Sequence, residues 1–67
     1  MRSAQEMAIL IRELLKERNS NVSTMLKSCN LHKSVIVQMS NGSMPSADKV
    51  GAIALYLGVS MEYLLGM

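Results

Sequence analysis

Residues 35–44 read VIVQMSNGSM, and no other stretch narrows the possible folds as much. Val35, Ile36 and Val37 favour a strand, and Asn41-Gly42 is a strong signal for a two-residue hairpin turn. A hairpin needs a second strand. The residues that would supply it, SMPSADKV, contain Pro45, Ser46 and Asp48 and show no apolar alternation. Without a partner strand, the segment reads as a helix from about Lys33 to Ser40. On that helix His32, Ile36 and Met39 fall at i, i+4 and i+7 and are expected to face inward. Lys33, Ser34, Val37, Gln38 and Asn41 share the outward face. Gly42 stands where helices end in a left-handed residue, with Pro45 just beyond. The β-branched residues cost such a helix only roughly a few tenths of a kcal/mol each.

Helical spacing governs the rest of the chain. From Ser3 to about Arg18, Met7, Leu10, Ile11, Leu14 and Leu15 form one apolar face. Ser3 and Glu6 have the spacing of a capping box. Arg12, Glu13 and Lys16 lie on the wet side, with Glu13 and Lys16 spaced as an i, i+3 pair. Asn19-Ser20-Asn21 is a turn, and Asn21 is a good N-cap for a short helix from Val22 to about Ser28. Val22, Met25, Leu26 and Cys29 repeat the apolar stripe there, while Ser23, Thr24 and Lys27 face out. Asn30 tolerates the left-handed conformation and can reverse the chain tightly. Ser46 caps a fourth helix, Ala47 to about Leu57, whose core face is Val50, Ile53, Ala54 and Leu57. Ser60 and Gly66 bound a fifth, Met61 to about Leu65. The expected fold is all-α: a five-helix bundle in one domain spanning 1–67.

The core of such a chain must be made of aliphatic residues and methionine. Hydrophobic residues are 49% of the sequence, yet only two aromatics are present, Tyr56 and Tyr63, against seven methionines. Methionine fills irregular gaps. The single cysteine, Cys29, cannot form a disulfide within the chain, and its place on an apolar stripe suits a small buried hydrophobe. One histidine and one cysteine do not make a metal site. No serine has His and acid partners at triad-like positions, so an enzyme is not expected, and no cofactor is implied. Spanning a bilayer takes roughly 18 consecutive apolar residues, and no stretch approaches that. Glu6, Arg12 and Glu13 break the N-terminal apolar run, which argues against a signal peptide. A cytoplasmic location is expected, where a lone thiol is at home.

The net charge is only +2, but its distribution is uneven. Between Arg18 and Ala47 there is no acidic residue, while Arg18, Lys27 and Lys33 are basic. A mildly positive middle suits a polyanion.

Two short helices joined by a tight turn, the second with a polar outward face, have the form of a helix-turn-helix over about 22–41. The stretch STMLKSCNLHKSVIVQMSNGSMPS and the tail IALYLGVSMEYLLG resemble the phage-repressor and Cro class of helix-turn-helix proteins, the XRE family. The resemblance runs from about Met7 to Gly66. It rests on Asn41-Gly42 after the third helix, Pro45-Ser46 before the fourth, and the Gly-Val-Ser…Tyr-Leu-Leu-Gly ending. It implies a lambda-repressor-like fold and a prokaryotic or phage transcriptional regulator, a repressor or the N-terminal part of one, nucleoid-associated when bound. The third helix would then read the major groove of double-stranded DNA. His32, Lys33, Ser34, Val37 and Gln38 match positions that reach base edges. Gln38 can bond adenine bidentately, Lys33 can donate to guanine, and Val37 can touch a thymine methyl. Asn21, Ser23, Lys27, Asn41 and Ser43 match positions near the phosphate backbone.

The sequence departs from the family pattern at several points. Leu26 replaces the small residue where the two helices cross, Asn30 the turn glycine, and Val22 a glutamine. Met39 and Ser40 replace the Trp or Leu and the acid before Asn41-Gly42. The basic run before Pro45 is reduced to Ser43-Met44, which lowers the expected phosphate affinity. Family members dimerise through the C-terminal part, so Leu55, Tyr63 and Met67 are candidates for a homodimer interface on a palindromic operator. Apolar Val37 and the thin positive charge leave an alternative: a protein-interaction module of the same fold, antitoxin-like or anti-repressor.

Overall fold

Ser3 ends the extended N-terminus because it forms a reciprocal cap with Glu6. Its hydroxyl accepts the Glu6 amide at 3.1 Å, and the Glu6 carboxylate accepts the Ser3 amide at 2.8 Å. From there the computed structural model, which describes residues 1–67, runs through five helices and no strand. They are α1 (Ala4–Glu17), α2 (Val22–Cys29), α3 (Ser34–Ser40), α4 (Ala47–Leu57) and α5 (Met61–Leu65). Asn19, with φ +53°, turns the chain out of α1. Asn21 caps α2 by accepting the Thr24 amide at 2.8 Å, and Ser60 caps α5 by accepting the Tyr63 amide at 3.0 Å.

α3 packs on α1, α2 on α4, and α5 on both α4 and α1. The result measures 26 × 21 × 19 Å. All 16 buried residues are apolar. Met7, Ile11 and Leu15 of α1 meet Met25, Met39, Ile53, Leu57 and Leu64 from the other four helices. Each of the short helices therefore contributes at least one fully buried side chain. Their stability comes from that shared centre, since helices of this length are marginal in isolation. No helix is long and apolar enough to cross a membrane, and no group of three or more His, Cys, Asp or Glu could hold a metal ion.

Polar bonds tie the helices end to end. Arg18 Nε donates to Leu57 O at 2.9 Å and its Nη1 to Leu14 O at 3.1 Å, so one guanidinium satisfies carbonyls at the ends of α4 and α1. The Tyr56 and Ser20 hydroxyls share a hydrogen bond of 2.7 Å. The Arg2 amide donates to Leu65 O at 2.7 Å and its Nη2 to Tyr63 O at 3.2 Å, which joins the two ends of the chain.

Some expectations are corrected by the packing. His32 is exposed, and Val35 takes the inward place beside Ile36 and Met39. The helix starts at Ser34, one residue later than expected, with Lys33 at its N-cap, so His32 precedes the helix and its periodicity does not apply there. Leu10 lies half-buried at the rim of α1, while Ala4 and Ala8 are buried because α3 and α5 come close to that side. Glu13 and Lys16 form no ion pair: the chain contains one, Arg18–Glu17 at 3.6 Å. Ser46 occupies the N-cap of α4 by its backbone, but its hydroxyl makes no cap bond. That hydroxyl instead helps to hold the Asp48 carboxyl below the usual range, with the first-turn amides adding to the effect.

Candidate functional site

The site is built on the sequence from α2 to α3. Asn30 takes φ +55° at the end of α2, and the Leu31 amide reaches back to Leu26 O at 2.8 Å. This left-handed closure turns the chain within three residues of the α2 end. His32 then steers the start of α3: its Nδ1 accepts the Ser34 amide at 3.1 Å, and its carbonyl accepts the Val35 amide at 3.1 Å. With Nδ1 used as an acceptor, the ring nitrogen left to donate is Nε2.

At its other end α3 closes in the same way. The Gly42 amide donates to Met39 O at 3.0 Å and the Ser43 amide to Gln38 O at 2.8 Å, with Gly42 at φ +95°. This is the Schellman pattern, and it satisfies two carbonyls that would otherwise lack partners. Val35, Ile36 and Met39 are buried beneath the helix, so its outer side is fixed by what lies under it.

That outer side carries Val37, Gln38 and Asn41, all exposed; Val37 is 56% exposed. Ser34 is half-buried rather than open. Lys33 and His32 lie at the N-terminal end, beside α2. There an open groove of about 560 Å³ brings together Ser23 and Lys27 of α2 with His32 and Lys33, over a floor of Leu26 and Leu31. No carboxylate lines it, and neither lysine is in an ion pair. The groove can therefore accept an anion without displacing an existing partner.

The other candidates stand apart from this groove. Asn21 lies at its edge, in a neighbouring groove with Arg12, Lys16 and Val22. Its Oδ1 is committed to the Thr24 amide, which leaves its two Nδ2 hydrogens free to donate. Asn41 and Ser43 flank Gly42 at the far end of α3. The Ser43 amide is used within the chain, so only its hydroxyl is available. Spacing along α1 places Arg12 and Lys16 on its wet side and implies no further role for them. Helical periodicity shows which face of a helix is polar but not which neighbouring element flanks that face.

Cys29 braces the site from behind. Its thiol donates to Ala52 O in α4 at 3.4 Å, and burial pushes the thiol up from its ordinary value. Leu55 and Met67 are 84% and 77% exposed, with no packing partner, whereas Tyr63 is partly engaged. The Arg2 guanidinium sits 5.7 Å from the Tyr63 ring centroid.

No protein-family model matches the chain, and no curated protein or solved structure matches it significantly.

Proposed function

We propose that this chain is a sequence-specific double-stranded DNA-binding domain of the phage-repressor helix-turn-helix kind, acting in transcriptional regulation. The observation that carries the reading is the pairing of an acid-free groove with an exposed polar helix face. The groove gathers Ser23, Lys27, His32 and Lys33 at one end of α3, and Gln38 and Asn41 continue outward along it. Backbone phosphates would sit against Lys27 and Ser23, and base edges would meet Lys33, Ser34, Val37 and Gln38. An α-helix with its side chains is about 10–12 Å across, which fits B-DNA's major groove, about 12 Å wide. No step of catalysis is involved. Leu55, Tyr63 and Met67 would form a self-association surface that sets two such helices about 34 Å apart on a palindromic site.

A second reading is favoured by one observation. Val37, an aliphatic residue on the otherwise polar outward face of α3, is 56% exposed, which would suit contact with a protein partner, as in an antitoxin-like or anti-repressor module.

Selection from a randomised duplex pool at two salt concentrations separates the two. The expected result is an enriched palindrome with half-sites about ten base pairs apart and a steep loss of affinity with salt. Gln38→Ala should then relax preference at one base position by about 1–3 kcal/mol. Equal losses on selected and random duplexes would remove Gln38 from the base-reading set. Absence of binding at low salt, even in a covalently fused dimer, would rule out the DNA reading and favour a protein partner.

A further inference from the structure

Arg12 lines two grooves at once. In one it stands beside Gln5, Ile9 and Ser40, the last residue of α3; in the other it stands beside Lys16, Asn21 and Val22 at the start of α2. Val22 also lines the larger groove that holds Lys27 and Lys33. The three grooves thus meet in series, joined first at Val22 and then at Arg12. Together they run from the start of α3, past the start of α2 and along α1, to the end of α3.

Charge along this track is of one sign. Lys33, Lys27, Lys16 and Arg12 line it, four of the chain's seven Lys and Arg residues, and no carboxylate does. None of the four is in an ion pair, because the only pair in the chain joins Arg18 to Glu17. Glu13 and Glu17, the nearest acids in sequence, line none of the three grooves. A net charge of +2 therefore understates the local field on this side.

We propose that this track is a continuous seat for a nucleic-acid backbone, with Arg12 and Lys16 as phosphate-binding residues in addition to those of the α2–α3 groove. The proposal rests on the DNA-binding reading above and deepens it. It widens the contact from the two short helices to a third element, α1, whose 14 residues and capping box make it a firm support. Contacts of this kind raise affinity for every sequence alike and add to the salt dependence. They also offset the short basic run before Pro45, where only Ser43 and Met44 stand.

The test is a double variant, Arg12→Gln with Lys16→Gln, which removes both charges and leaves a polar side chain at two exposed positions. Binding to the selected duplex and to a random duplex is measured from low to moderate salt, and the thermal midpoint is measured alongside. The expected result is a salt slope smaller by about 2, from about 0.9 per lost phosphate contact, with equal proportional losses on both duplexes. The thermal midpoint should be unchanged. Lys49→Gln removes a cation outside the track and should leave the slope as it was. An unchanged slope in the double variant, alongside a reduced one in Lys27→Gln, would overturn the role of Arg12 and Lys16 while leaving the DNA reading intact. An equal fall per charge in Lys49→Gln would show a general charge effect and also overturn it. Failure of the parent chain to bind either duplex at low salt would remove the DNA reading itself, and this proposal with it.

Discussion

Replacing Gly42 with alanine tests whether the end of α3 is set by backbone conformation or by space. Gly42 sits at φ +95°, and its conformation lets two amides, Gly42 and Ser43, reach Met39 O and Gln38 O at 3.0 and 2.8 Å. An added Cβ would lie 2.9 Å from Gln5 Nε2. That neighbour is the far end of a flexible, exposed side chain, so it can swing away at small cost. The dihedral strain has no such escape, because relieving it gives up both closing bonds. Left-handed backbone costs an L-residue roughly 1–2 kcal/mol. Alanine's smaller unfolded-state entropy offsets about 0.4–1 kcal/mol of this. The net expectation is a loss of about 1 kcal/mol, or about 4–8 °C in Tm for a domain of this size. Thermal and urea unfolding of Gly42→Ala, Gln5→Ala and the double variant would measure it. The loss should be the same in the Gln5→Ala background, and Gly42→Asn should lose less, because asparagine tolerates positive φ better. A loss that disappears when Gln5 is shortened would refute the dihedral argument and assign the effect to crowding. No loss in either background would refute the view that Gly42 holds the last turn of α3. Gln38 and Asn41 lie in that turn, so under the proposed DNA-binding function duplex binding should weaken as well.

Two further outcomes follow from the polar groups. The Glu6 carboxyl is held below the usual carboxylate range, first by its bond to the Ser3 amide and then by the Ser3 hydroxyl and the Arg2 charge. A lowered folded value means the stabilisation is present above the unfolded carboxylate value, about 4.3, and is lost as pH falls from there through the lower folded value. Wild type should therefore exceed Glu6→Gln in thermal midpoint at neutral pH, with the gap closing on acidification; a gap constant from pH 7 to pH 3 would contradict this. Cys29 is half-buried, donates to Ala52 O and has a raised thiol pKa, so it should react with an aromatic disulfide more slowly than in the urea-unfolded chain at the same pH. Equal rates would show that the α2–α4 contact opens freely.

Much of the fold is legible in the sequence because caps and apolar spacing agree. α4 and α5 are bounded by Ser46 and Gly58, and by Ser60 and Gly66, and their observed limits coincide with those the residues imply. α3 is less legible: its three β-branched residues favour a strand, and only the lack of a partner strand marks the segment as a helix. Helical spacing does not locate the inward set at its start, because His32 lies two residues before a helix that begins at Ser34. Val35, hidden among the strand-like letters, is buried with Ile36 and Met39 in a helix that packs on α1. The candidate site was legible only in part. The outward run Val37, Gln38 and Asn41 follows from spacing along one helix. The track through Val22 and Arg12 arises from three elements meeting, and no single-helix pattern carries that information.

The bond between the Arg2 amide and Leu65 O makes the chain nearly a ring. Gly66 permits the closure, since a Cβ there would come within 2.7 Å of Arg2 Cγ and 3.1 Å of Arg2 N. Both ends consequently leave the molecule at one pole, where α1 begins and α5 stops. A short peptide could splice them, and new ends could be opened elsewhere, for example at the exposed Ser43-Met44. The order in which the helices are strung would change, while the arrangement of α1, α2 and α3 around the basic track would stay the same.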